Sequence, residues 1–354
     1  MARFRQAILI AATLGVATGG AFLFRALHLP LAAILGSLCG ATIVSNIFGA
    51  MSGERGLRRC GQLFVGASVG AVLAPDVLDQ LVRLFPLMLA AAVASNLVAL
   101  ALTIPLAWIA RIDRLTALLS ALPAGMAEMA TLAVDLKADE QAVAIIHTLR
   151  VIMVLALIPV WLGLVARAGV PPPSLTGMDG MSEILILVLA AAAIAALATH
   201  LKVVNAFVIT PMLLSLAVVA AGHRLPPVPP GVLLLAQITI GASLGLRFRL
   251  DRLRRMPRVA LGGVLSGLVL IGAAFIGIAA LVQAESDLDH VSAILAVAPG
   301  GLGEMIASAG TLGLLVAAVA VFQLTRSVMT NLFVPPLIAW LVRRKRVRKK
   351  RVIC

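Results

Sequence analysis

Pro123-Ala-Gly125-Met-Ala-Glu128-Met129 interrupts the apolar run 115–134, and its pattern returns 176 residues later as Pro299-Gly300-Gly301-Leu-Gly303-Glu304-Met305 in the run 291–315. Proline and glycine inside an apolar run leave backbone groups unpaired. Lipid tolerates this only where the chain packs in protein or lines a cavity. A carboxylate three residues after each break costs about 2.5–3.5 kcal/mol at the centre of a membrane helix, so it needs a partner or a task.

Working outward, the copies extend along the chain. Arg150, Met153 and Pro159 fall on Arg326, Met329 and Pro335 at the same spacing, and Gln62, Gly66, Ala67, Ser68 and Gly70 fall on Gln237, Gly241, Ala242, Ser243 and Gly245 at 175. Matched Pro, Glu and Arg are far less expected by chance than matched Leu and Ala. The chain is read as a first membrane repeat at 1–168, a linker at 169–180, a second membrane repeat at 181–342 and a basic tail at 343–354. Each repeat holds six apolar segments: 6–24, 31–50, 61–74, 84–110, 115–134 and 141–166, then 183–199, 203–222, 231–246, 259–283, 291–315 and 316–342.

Composition agrees. Hydrophobic residues make up 61% of 354, charged residues 12%, and no run is left for a separate soluble domain. The net charge of +14 is concentrated at 247–258 and 343–351, beside apolar runs, where it marks topology rather than nucleic-acid binding. If the interrupted fifth segment of each repeat enters and returns on one side, 23 Lys and Arg lie on the inner face. Arg25, Arg83, Arg167 and Arg224 lie outside, and Arg150 and Arg326 lie within the membrane. The expected fold class is therefore all-α and polytopic: two inverted repeats of about five spans, each with one Pro/Gly-interrupted or re-entrant segment. The expected location is a bacterial inner membrane, multi-pass, with both termini cytoplasmic.

Paired breaks in inverted halves point to a transporter's midplane site. The candidate substrate- or ion-binding residues are Pro123, Gly125, Glu128, His147, Arg150, Pro299, Gly300, Gly301, Gly303, Glu304, Gln323 and Arg326. Glu128 with Arg150 and Glu304 with Arg326, each 22 residues apart, are expected to pair, whether for neutralisation or along a lined pathway. His147 lies one turn before Arg150 where the second copy has Gln323, so this histidine is either a proton carrier or a hydrogen-bonded structural group. The glycines four apart, Gly66 with Gly70 and Gly241 with Gly245, suit close helix packing. Five dispersed histidines and three cysteines form no ligand cluster, so no metal, no cofactor and no enzyme is expected.

The doubled Pro-x-Gly-x-x-Glu-Met signature, each copy followed by an arginine on the next helix, resembles the AbrB-type membrane proteins with an AbrB duplication. The resemblance covers nearly the whole chain. Members carry names such as ammonia monooxygenase or aidB regulator, and the small DNA-binding regulator that shares the AbrB name is a different protein. The resemblance implies kinship with cation-proton antiporters and anion transporters built from inverted repeats. The expected function is secondary transport of a small solute, an anion among the candidates. The alternative is a membrane-bound regulator of gene expression acting through transport or a partner. Expected partners are the lipid bilayer and an unassigned small molecule, without nucleic acid; a homo-oligomer stays open.

Overall fold

The computed structural model describes residues 2–29, 31–49, 53–71, 75–165, 180–201, 203–312 and 314–351. The linker read from the sequence falls almost entirely outside them. The described residues are mostly helical, without strands. In order they form α1 (Ala2–Ala26), α2 (Ala32–Phe48), α3 (Glu54–Ala71), α4 (Pro75–Ala110), α5 (Arg114–Ala121), α6 (Met126–Asp135) and α7 (Glu140–Val165). Then follow α8 (Met181–His200), α9 (Ala206–Ala220), α10 (Pro230–Arg247), α11 (Leu250–Arg255), α12 (Pro257–Gly272), a π-helical turn (Ala273–Ile278) running into α13 (Ala279–Ala284), α14 (His290–Val297), α15 (Leu302–Thr311) and α16 (Val316–Arg351). The order α1–α7 recurs as α8, α9, α10, the rod α12–α13, α14, α15 and α16, with α11 added between the third and fourth elements.

Seven helices among the described residues are long and apolar enough to cross a membrane, and α2 and α9 are shorter apolar helices. Their outer faces carry large exposed aliphatics such as Ile104, Ile186, Leu189, Leu197 and Ile276. In water such a surface would be a liability; against lipid it costs nothing.

The two halves of the chain cross-pack through glycines of α3 and α10. Gly66 and Gly70 of α3 lie against the backbone of Val208 and Met212 on α9, so closely that a Cβ at either would collide with a carbonyl oxygen. Gly241 and Gly245 of α10 lie in the same way against Ile34 and Leu38 of α2. The packing reading of these glycines holds. Thr42 and Ser45 of α2 donate to the Gly245 carbonyl across this contact, and Ser215 of α9 donates to Ala67. The second shared surface sets α12 against α7 and α4 against α16.

Where the sequence shows its breaks, the chain forms two helical hairpins. At 1.5 Å per residue, α5 and α6 are about 12 and 15 Å long, each too short to cross a hydrocarbon core of roughly 30 Å. Thr116 near the start of α5 accepts from the Asp139 amide just after α6, at 3.0 Å. The first hairpin thus leaves and returns at one end. α14 and α15 match α5 and α6 residue for residue in length.

Candidate functional site

Each hairpin begins with a capped helix and ends its first arm on an arginine. Asp113 accepts from the Leu115 and Thr116 amides, and Asp289 from those of Val291 and Ser292, at 2.9–3.0 Å. These are N-caps satisfying two otherwise orphaned donors. At the other end, the last carbonyls of an eight-residue helix have no helical partner, and the residues that carry them are buried.

Arg150 of α7 supplies that partner. Its Nη1 donates to the carbonyls of Ser120, Ala121 and Leu122 at 3.1–3.3 Å, and its Nη2 to His147 Nδ1 at 2.9 Å, while His147 Nε2 donates to Leu119 O at 2.9 Å. In the second copy, Arg326 of α16 donates to Val297 O (3.2 Å), Ala298 O (2.5 Å), Gly300 O (3.0 Å) and Gln323 Oε1 (2.5 Å). Gln323 Nε2 donates to Leu295 O at 2.7 Å. A cation at a helix C-terminus also complements the helix dipole.

These bonds correct the expected Glu–Arg pairs. Arg150 and Arg326 spend their terminal nitrogens on backbone carbonyls and on their own helix neighbours. Glu304, fully buried, instead pairs with Arg58 of α3, Oε1 to Nη2 2.8 Å. Glu128, half-buried, folds its carboxylate over Gly125. The ion pairs formed among the described residues are Arg58–Glu304 and Arg249–Asp251.

The two hairpin tips meet at one cavity of about 610 Å³, open solvent at its mouth included. Pro123, Gly125, His147, Arg150, Gly300, Gly301, Glu304, Gln323 and Arg326 line it. Three expected residues do not: Glu128, Pro299 and Gly303, the last facing Gln62 on α3. Arg58 and Arg247 join the lining, with Asn205 and Ser327, which bond to each other at 3.0 Å. Arg58 and Arg247 were counted in the sequence as basic residues marking topology. Repeat asymmetry could have singled them out, since Arg58 aligns with Leu233 and Arg247 with Val72.

The cavity therefore carries four guanidinium groups and one carboxylate. Nε of Arg58, Arg150 and Arg326 and Nη1 of Arg247 are buried without a hydrogen-bond partner. Buried donors left open are costly, and more so when charged. α6 and α15, entered at Gly125 and Gly301, turn their N-termini to the same space. Positive side chains, open N–H donors and positive dipole ends together make a place for an anion. Among the described residues no group of three or more His, Cys, Asp or Glu could hold a metal ion.

Compared with known proteins, the chain matches the family described as "Transition state regulatory protein AbrB" over residues 2–139 and 40–342. It is 23% identical over 349 residues to "Uncharacterized protein YhjN" of Bacillus subtilis (strain 168), covering 91% of this chain and 90% of that one. No solved structure matches it.

Proposed function

We propose, on the premise that this chain belongs to the AbrB family, that it is a secondary transporter carrying a small anion through a cavity between two inverted repeats. The observation that supports this most is the lining of four arginines against one glutamate where both hairpin tips meet. A scaffold needs Arg150 and Arg326 to close its helix ends. Arg58 balances the buried Glu304, but Arg247 forms no ion pair among the described residues, and the surplus of positive charge in the lining calls for a mobile counter-charge.

The topology proposed with this function has α1–α4, α7, α8–α10, the rod α12–α13 and α16 crossing, while the hairpins enter from opposite faces. It puts the basic stretches at 247–258 and 343–351 on one side, as the distribution of Lys and Arg favours. Rocking one repeat against the other around the arginines would open the cavity to each side in turn.

Proteoliposomes test this. Labelled succinate, sulfate and phosphate are offered in turn, with and without a pH or sodium gradient. We expect saturable uptake of at least one anion, reduced tenfold or more by Arg247→Gln while the variant stays folded. Uptake equal to that of empty liposomes for all three, with no anion bound by the purified protein, would sink the reading.

A further inference from the structure

Glu304 already seats a carboxylate group among the arginines. Its carboxylate lies over the backbone of Gly301 at the entry to α15, where a Cβ would collide with it and come within 3.0 Å of Arg58 Nη2. The site thus accommodates a carboxylate between an arginine and a helix N-terminus. The fit is incomplete. Oε1 is 2.8 Å from Arg58 Nη2, yet neither carboxylate oxygen has hydrogen-bond geometry with any partner, and Arg58 Nε is likewise unpaired. Tied to the first turn of α15, Glu304 reaches Arg58 in distance but not in alignment. A free carboxylate has no tether and can take the planar two-point contact with Nε and Nη2 that guanidinium groups favour.

Resting on the anion-transporter reading, we infer that the substrate is a small carboxylate, and that Glu304 is its internal competitor, surrendering Arg58 when the substrate's carboxylate enters. The other charged groups around the site are compatible with this exchange. Arg247 of α10, Arg326 of α16 and Arg150 of α7 line the same cavity, so the displaced Glu304 stays among positive groups. Glu54 and Arg55 of α3 act on Arg247 from the same end. The arrangement is one-sided. Glu128 aligns with Glu304, but Leu233 stands where an arginine would have to be, so only the second repeat's glutamate competes.

The test uses the purified full chain in detergent, titrated with propionate, succinate, sulfate and phosphate at constant ionic strength and followed by calorimetry and thermal shift. We expect the carboxylates to bind more tightly than sulfate or phosphate. Glu304→Gln should tighten succinate tenfold or more, and Glu128→Gln should leave it unchanged. If sulfate or phosphate binds at least as tightly as the carboxylates, or if Glu304→Gln leaves succinate affinity unchanged or weaker, the inference falls and the anion-transporter reading stands. If none of the four anions binds wild type or a folded Glu304→Gln, both fall. Should Glu304→Gln not fold with Arg58 unpaired, the neutral double variant Arg58→Gln/Glu304→Gln replaces it. It should lose succinate binding, and wild-type affinity in it overturns the inference.

Discussion

His147 and Gln323 hold equivalent places and make equivalent bonds with different chemistry. Each accepts from the arginine one turn later and donates to a carbonyl of the preceding short helix. Arg150 always donates, so His147 must offer Nδ1 as a lone pair and Nε2 as N–H, the neutral tautomer whose donor and acceptor a glutamine amide reproduces. The proton-carrier reading of His147 thereby loses ground, because a second ring proton would face the guanidinium. We expect His147→Gln to change unfolding stability by less than about 1.5 kcal/mol and to keep transport, measured by thermal unfolding and uptake. Arg326→Gln, which strips the donors from three carbonyls, should cost about 3 kcal/mol or more. In the sequence, the importance of Arg150 and Arg326 was legible from their duplication inside apolar runs. Their partners were not. Charge suggests charge in a linear reading, whereas carbonyls freed at a helix end are invisible until the helix is known to stop at Ala121 or Val297.

At the level of elements, both breaks and the glycine faces were readable, because proline, glycine and hydropathy report on backbone and burial directly. The third segment was not: read as 61–74, it begins at Glu54. Its first turns carry Glu54, Arg55, Arg58 and Arg59, which depress hydropathy, yet Arg58 turns to the cavity and Arg59 stacks over Phe207 of α9, 4.7 Å from the ring centroid. Amphipathic entry into a cavity looks like a loop to a hydropathy window. The π turn at Ala273–Ile278 has no residue signal we can name. Gly241→Leu should force α10 away from the Ile34 carbonyl and lower the unfolding temperature by several degrees, whereas Gly19→Leu, with open space around it, should not. Asp289→Ala should cost about 1 kcal/mol as a lost cap.

On the scale of the whole molecule, the proposed inverted topology makes a direct demand on accessibility. In a background with Cys39, Cys60 and Cys354 replaced by serine, single cysteines at Lys137 and Asp287, both in the turns that flank a hairpin, should be labelled from opposite faces of the membrane. Labelling of both from one face would rule out the inversion. The cross-packing of the repeats bears on how such a chain is made. The small-residue face of α2 is covered by α10, through bonds between residues 203 apart, and that of α3 by α9, between residues 148 apart. On the proposed topology the first half must wait in the bilayer during synthesis, with Ser45 of α2 and Gly66 and Gly70 of α3 unmatched, until the second half emerges. We expect neither half to be a stable product on its own. Expressed separately, each should be cleared by membrane proteases, and expressed together they should find one another and survive, so that a gene cut at the linker would still yield one protein.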